Sequence, residues 1–117
     1  ISRKIRIALG SDHCILLSCR IIASGSDDMD ILPPSGGKDH ATLFLAEHLG
    51  VDPHRHLVVA GDSANELAMF RVAGRSIAVG NARAELIDAM PADTSYHAEA
   101  RHAAGVLEGL EHYRVWN

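Results

Sequence analysis

The 117-residue sequence has few aromatic residues and only two cysteines. Aromatic side chains make up 4% of the chain, which predicts a core built mainly from aliphatic residues and alanine. Cys14 and Cys19 are too few for a disulfide framework or a zinc site, so we expect ordinary buried or free thiols. No apolar run reaches the roughly 18 residues of a membrane-spanning helix. We therefore expect no membrane partner and a cytoplasmic location.

Positive charge is also scarce. Eleven Lys and Arg residues face fifteen Asp and Glu residues, which gives a formal net charge of −4. Nucleic-acid binding surfaces need clustered positive charge, so this balance predicts no nucleic-acid partner. The chain is 47% hydrophobic and 22% charged, a composition typical of a globular protein rather than a disordered one.

The order of predicted elements changes at Pro33-Pro34-Ser35-Gly36-Gly37. Before this point the hydrophobic pattern predicts strands at Lys4–Leu9, Cys19–Ala23 and Met29–Leu32, with a short helix near residues 11–17. After it, helices and strands alternate, which is typical of an α/β fold with parallel strands. We therefore predict a division into residues 1–33 and 34–117. The predicted elements of the second part are an amphipathic helix over 35–50, strands at Leu57–Ala60 and Ser76–Val79, and helices near 64–72, 84–90 and 103–112.

Polar residues follow both predicted parallel strands, where α/β proteins bind their ligands. The first strand is followed by Gly61-Asp62-Ser63-Ala64-Asn65-Glu66 and the second by Gly80-Asn81. Asp62 and Glu66 are one helical turn apart, and two carboxylates on one side of a strand–helix junction suit Mg²⁺. The alternative is that Asp62 caps the next helix and Glu66 is an acid favoured by the helix dipole.

Lys38 stands in the first turn of the predicted helix over 35–50, where the helix dipole disfavours a cation. A lysine beside free backbone N–H groups suits a phosphate ligand. The alternative is a solvated lysine whose charge is offset by Asp39. Asn81 has two interpretations as well: a tight turn, or the lining of a phosphate or sugar pocket.

These motifs together resemble the haloacid dehalogenase-like (HAD) phosphatases. The resemblance rests on Lys38 opening a helix, on Gly61-Asp62-Ser63-x-Asn65-acid after a buried strand, and on Val79-Gly80-Asn81-Ala82. The similar branch contains the sucrose-phosphate phosphatases and the phosphatase-like C-terminal domain of sucrose-phosphate synthases. Asp30-Ile31-Leu32-Pro33 and the stretch from His102 to Leu110 extend the resemblance over about residues 28–113.

The resemblance implies a Mg²⁺-dependent phosphatase that acts on a sugar phosphate. It implies a Rossmann-like HAD core at 34–117, preceded at 1–33 by a strand-rich remnant of a cap domain. By resemblance, Lys38 and Asp62 are catalytic: Lys38 neutralises phosphate charge, and Asp62 binds Mg²⁺ with Glu66, directly or through water. Substrate or phosphate contacts are assigned in the same way to Lys38, Ser63, Asn65 and Asn81.

The sequence departs from the family pattern at two places. The family usually has Asp at the position of Glu66, and its Asp-x-Asp nucleophile motif on the first core strand is missing. Asp28-Met29-Asp30 is the only Asp-x-Asp, but it leads into a strand instead of following one. We therefore expect little turnover by the isolated chain. The alternative function is a non-catalytic phosphatase-like module that binds a sugar phosphate or a protein partner.

A phospho-receiver domain is a third interpretation, but a receiver places its lysine after the main aspartate, and here Lys38 precedes Asp62. The incomplete parallel sheet also predicts association, because Leu57–Ala60 is left with an unpaired edge. We expect a homo-oligomer, a strand-swapped dimer or association with a separate N-terminal segment. The competing possibility is that residues 1–32 fold back as substitute strands.

Overall fold

The computed structural model describes residues 2–8, 14–24 and 27–116. The chain forms two compact units, Ile1–Gly37 and Lys38–Asn117. The predicted division at residue 33 and the cap-like nature of the first segment remain predictions.

The first unit holds an antiparallel sheet of three strands in the order β1-β2-β3. Its strands are β1 (Ser2–Ala8), β2 (Cys14–Ser24) and β3 (Asp28–Leu32). The predicted helix near residues 11–17 is wrong for residues 14–17, because this apolar run is the start of β2 and pairs with β1, Ile5 opposite Leu17. Residues 11–13 lie outside the described residues. Cys19 is a buried free thiol, as predicted, whereas the side chain of Cys14 lies outside the described part.

The second unit contains a parallel three-stranded sheet in the order β4-β5-β6, with helices between the strands. This confirms the predicted α/β architecture. The strands are β4 (Val58–Gly61), β5 (Arg75–Ala78) and β6 (Ser95–His97). The helices are α1 (Lys38–Leu49), α2 (Pro53–His56), α3 (Leu67–Val72), α4 (Ala84–Ala89) and α5 (His102–His112).

Two elements of this unit were not predicted. Strand β6 has three residues, and its sequence Ser-Tyr-His lacks the apolar run that marks β4 and β5. Helix α2 covers residues for which the hydrophobic pattern predicted no element. The signal for α2 was present in the sequence, because Asp52 accepts the His54 N–H at 2.9 Å and Pro53 occupies the first turn.

The core of the second unit lies between the parallel sheet and helices α3 and α4. Its buried members are Val59, Phe70, Ala73, Ala78 and Leu86. Helix α5 packs closely at two buried glycines: Gly109 lies against Ile77 of β5, and Gly105 lies against Val79, the residue after β5. A Cβ added to Gly109 would stand 2.5 Å from Cγ2 of Ile77, so only a glycine permits this approach.

Helix α1 forms where it was predicted, but most of its apolar side chains are exposed. Ala46 is its buried residue, and the exposed fractions of Phe44, Leu45 and Leu49 are 73%, 53% and 63%. The helical period therefore located the helix without showing which face is covered. In the described part of the chain, no helix combines the length and the apolar character that crossing a membrane requires.

Candidate active site

Lys38 and Glu66 meet although 28 positions separate them in the sequence. Lys38 is the first residue of α1, and Glu66 ends the 3-10 turn Ala64–Glu66 that follows β4. The Lys38 Nζ donates to Glu66 Oε1 in an ion pair. The lysine side chain is 50% exposed and the glutamate side chain 7% exposed, so a half-exposed cation contacts a buried acid.

The second oxygen of Glu66 organises the turn after β4. Its Oε2 accepts the backbone N–H groups of Asp62 at 3.1 Å and Ser63 at 3.0 Å. The turn wraps tightly around the glutamate, since a Cβ at Gly61 would stand 2.3 Å from Glu66 Cγ. Gly61 is therefore needed to let the strand end pass over this side chain.

The electrostatic state of Glu66 follows from these contacts. Burial opposes ionisation and raises the pKa of Glu66, but the Lys38 ammonium and the N–H groups of Ser63 and Asp62 outweigh it. The net effect lowers the pKa of Glu66 below its ordinary value. The carboxylate is therefore ionised at neutral pH and pairs with the Lys38 ammonium group.

Asp62 differs from Glu66 in both exposure and contacts. Its side chain is exposed, and its carboxylate accepts no hydrogen bond from residues 2–8, 14–24 or 27–116. The N-cap of the 3-10 turn is Ser63, so Asp62 does not have the capping role that was the alternative. A carboxylate that accepts no hydrogen bond from the described residues can bind a cation with either oxygen.

The residues present fit Mg²⁺ in part. Mg²⁺ takes one or two carboxylates and keeps several waters, and the exposed Asp62 meets the first requirement. Both Glu66 oxygens are already occupied by donors of this chain, which favours contact between Glu66 and an ion through water. The described residues contain no group of three or more His, Cys, Asp or Glu placed to hold a metal.

The other predicted site residues lie in or beside the same turn. The Ser63 hydroxyl donates to Asn65 Oδ1 and lies 3.1 Å from Glu66 Oε2. The loop after β5 lies alongside, because the Arg83 N–H donates to the Asp62 carbonyl at 2.8 Å. Asn81 is in that loop, and its Oδ1 accepts the His102 N–H at 2.8 Å.

Asp28 and Asp30 belong to the first unit of the chain. Both belong to strand β3 of the antiparallel sheet, and both are exposed. Neither follows a parallel strand, and their exclusion as a nucleophile motif stays a prediction.

Comparison with known proteins identifies the family. The family model for sucrose-6F-phosphate phosphohydrolase matches residues 9–114. The chain belongs to this family. It is 39% identical over 114 residues to mannosylfructose-phosphate phosphatase of Agrobacterium fabrum, covering 91% of this chain and 45% of that protein.

Solved structures agree with the family assignment. The sucrose-phosphatase of Synechocystis sp. PCC6803, solved in complex with sucrose and phosphate, is 34% identical with a TM-score of 0.74. The match covers 81% of this chain and 40% of that chain. A haloacid dehalogenase-like hydrolase from B. subtilis, 23% identical with a TM-score of 0.66, shares the fold over 80% of this chain and 31% of its own. The sucrose-phosphatase family chain thus has the predicted HAD-like fold and spans less than half the length of these relatives.

Sequence reasoning missed two residues near the site of this sucrose-phosphatase family member. His102 has a left-handed φ of 53°, and its N–H donates to Asn81 Oδ1. Glu108, in α5, was given no role in the sequence analysis. Its carboxylate accepts the backbone N–H groups of Glu99 and Ala100, which precede the helix. A positive φ and a contact between a helix and the preceding linker leave no periodic signal in a sequence.

Proposed function

We propose that this chain provides the phosphate- and Mg²⁺-binding part of a phosphatase that acts on a sugar phosphate. The observation that carries the proposal is the contact between Lys38 and Glu66. It brings a cation from the start of α1 to the turn that also presents the exposed Asp62 carboxylate. A cation and a metal-binding carboxylate side by side at the carboxyl end of a parallel sheet suit a phosphate monoester.

Each residue has a distinct part in this proposal. The half-exposed Lys38 ammonium neutralises phosphate oxygens, and Glu66 orients the lysine through their ion pair. Asp62 would bind Mg²⁺, which supplies electrostatic stabilisation to a transferring phosphoryl group when bound. Ser63 and Asn65 fix the turn, and Asn81 contacts the substrate from the neighbouring loop. The names of the relatives favour a disaccharide phosphate related to sucrose 6-phosphate.

The covalent step that the resemblance implies needs an aspartate nucleophile. The aspartate oxygen would attack phosphorus, the sugar oxygen would leave with the P–O bonding electrons, and water would then hydrolyse the aspartyl phosphate. We propose that the aspartate comes from a segment that pairs with β4. Within the described residues β4 pairs only with β5, so its other edge can accept a strand.

Isothermal titration calorimetry tests the binding proposal on the chain as it is. Sucrose 6-phosphate in the presence of MgCl₂ should bind, and sucrose should not. Lys38→Met should weaken binding about tenfold or more, because a charge-assisted hydrogen bond to phosphate is lost. The matched control Arg71→Met removes one exposed cation from α3 and should bind like the wild type. Equal affinity in Lys38→Met and wild type would contradict the proposal.

A further inference from the structure

Glu108, in the middle of α5, accepts three hydrogen bonds from outside its helix. Its Oε2 accepts the Tyr96 hydroxyl at 2.9 Å and the Glu99 N–H at 2.8 Å. Its Oε1 accepts the Ala100 N–H at 3.2 Å. One side chain therefore holds both β6 and the β6–α5 linker, which we define as residues 98–101.

The β6–α5 linker in turn holds the loop after β5. The Gly80 N–H donates to the Ala100 carbonyl at 2.7 Å. The approach is close enough to require glycine, since a Cβ at Gly80 would stand 2.3 Å from the Glu99 carbonyl oxygen. A linker fixed by Glu108 thus determines where the backbone at Gly80 lies.

The Asn81 side chain is fixed where the linker joins α5. Its Oδ1 accepts the His102 N–H at 2.8 Å, and its Nδ2 lies 3.4 Å from His102 Nδ1. His102 adopts a φ of 53°, a backbone conformation that L-residues rarely occupy without support from their surroundings. The loop continues to Arg83, whose N–H donates to the Asp62 carbonyl at 2.8 Å.

We propose that Glu108 is a positioning residue for the candidate site: it orders the β6–α5 linker and thereby orients Asn81 toward the substrate. The inference rests on the proposed function for the substrate contact of Asn81, whereas the ordering of the linker stands on the hydrogen bonds alone.

The charge state of Glu108 supports this role. The Glu99 N–H and the Tyr96 hydroxyl lower the pKa of Glu108, and the Ala100 N–H acts in the same direction. Both oxygens of the ionised carboxylate are acceptors, as the donors on both sides require: Tyr96 and Glu99 at Oε2, and Ala100 at Oε1. A glutamine at this position would turn an NH₂ group toward one of the donors.

The test compares Glu108→Gln with two other variants by NMR and amide hydrogen exchange. Glu111→Gln is the matched control, because it removes an exposed carboxylate from the same helix. Tyr96→Phe removes one of the three donors and leaves both backbone contacts. The readouts are the exchange rates of the Gly80 and His102 amides, the side-chain amide resonances of Asn81, and the dissociation constant for sucrose 6-phosphate.

We expect Glu108→Gln to speed exchange at Gly80 and His102 by about tenfold or more, with the amides of the β4–β5 pairing unchanged. The Asn81 side-chain resonances should shift, and binding of sucrose 6-phosphate should weaken several-fold. Tyr96→Phe should move the same resonances less, and Glu111→Gln should not move them. If Glu108→Gln does not fold, Tyr96→Phe decides the question in the same way.

Unchanged exchange and unchanged Asn81 resonances in Glu108→Gln and Tyr96→Phe would overturn the proposal. Altered exchange with an unchanged dissociation constant would overturn the link to the substrate. If the wild type itself does not bind sucrose 6-phosphate, the proposed function fails, and the substrate role of Asn81 fails with it. The exchange data still decide whether Glu108 orders the linker.

Discussion

At the scale of single residues, Glu66 joins more of the site than any other described side chain. It pairs with Lys38 through one oxygen and accepts the N–H groups of Asp62 and Ser63 through the other. The Glu66 side chain therefore joins the start of α1 to the turn after β4, and the Asp62 side chain beside it stays exposed.

We predict that Glu66→Gln lowers the free energy of unfolding by about 1–3 kcal/mol at neutral pH, because Lys38 and two backbone N–H groups lose a buried, ionised acceptor. Urea unfolding measures the change. Glu85→Gln, at an exposed position of α4, is the matched control and should change it by less than about 0.5 kcal/mol. An equal change in both variants would show that the Lys38–Glu66 contact contributes nothing.

We predict that the difference in unfolding free energy between wild type and Glu66→Gln depends on pH. The pKa of Glu66 is lowered in the folded state, so its stabilisation is present above the ordinary glutamate pKa of about 4.3. It is lost as the pH falls through the lower folded-state pKa. The stability difference between wild type and Glu66→Gln should therefore be full at pH ~6 and shrink below pH ~4.

We predict that Asp62→Asn removes the response of the chain to magnesium. In wild type, titration with MgCl₂ should shift the amide resonances of residues 61–66, because the exposed Asp62 carboxylate is the proposed ligand. The asparagine keeps the shape and loses the charge, so these shifts should disappear. Identical shifts in both proteins would mean that magnesium binds elsewhere.

At the scale of elements, the sequence predicted the helices and strands that have strong hydrophobic runs. Strands β4 and β5 and helices α1, α3, α4 and α5 lie where the pattern placed them, within a few residues. Strand β6 was missed because its pairing with β5 depends on backbone position, Ile77 opposite Tyr96, and not on an apolar run. Residues 14–17 were assigned to a helix because a short apolar run fits both structures until a strand partner is known.

We predict that Gly109→Ala destabilises the fold through the contact between α5 and β5. The added methyl group would stand 2.5 Å from Ile77 Cγ2, and overpacking of this kind costs about 1–3 kcal/mol. A gain in helix propensity of about 1 kcal/mol offsets part of this cost. Thermal unfolding by circular dichroism should show a lower Tm. Leu107→Ala, at an exposed position of the same helix, should leave it nearly unchanged, and a Tm raised by Gly109→Ala would contradict the packing.

At the scale of the whole molecule, two features bear on the predicted association of the chain. Strand β4 is at an edge of the described parallel sheet, and α1 exposes Leu43, Phe44, Leu45 and Leu49. Apolar side chains clustered on one helix and an open strand edge are typical of surfaces that another chain covers. The predicted association therefore remains our proposal for the isolated chain, with a second copy as the partner.

We predict that the purified chain self-associates in light scattering and that Leu45→Ser weakens this association. The matched control is Leu107→Ser on α5, because Leu45 and Leu107 are 53% and 50% exposed. Loss of apolar area at an interface weakens association, whereas the same loss on a free surface does not. A monomeric wild type, or equal effects of the two substitutions, would contradict the prediction.

The sequence identified the candidate site residues but not the contacts between them. Strand ends, the start of a helix and the family resemblance led to Lys38, Asp62, Ser63, Asn65, Glu66 and Asn81. Their arrangement could not be predicted, since the Lys38–Glu66 pair joins residues 28 positions apart and the Glu108 contacts join α5 to residues outside the helix. Such contacts depend on how α1 and α5 pack, which residue spacing does not specify.

The proposed phosphate site is tested most directly by an ¹⁵N NMR titration of this chain with sucrose 6-phosphate in the presence of MgCl₂. We predict saturable shifts at Lys38, Asp62, Ser63 and Asn81, absent with sucrose alone and absent in Lys38→Met. Shifts confined to other residues, or the same shifts with sucrose alone, would contradict the claim that these residues form a phosphate-binding site.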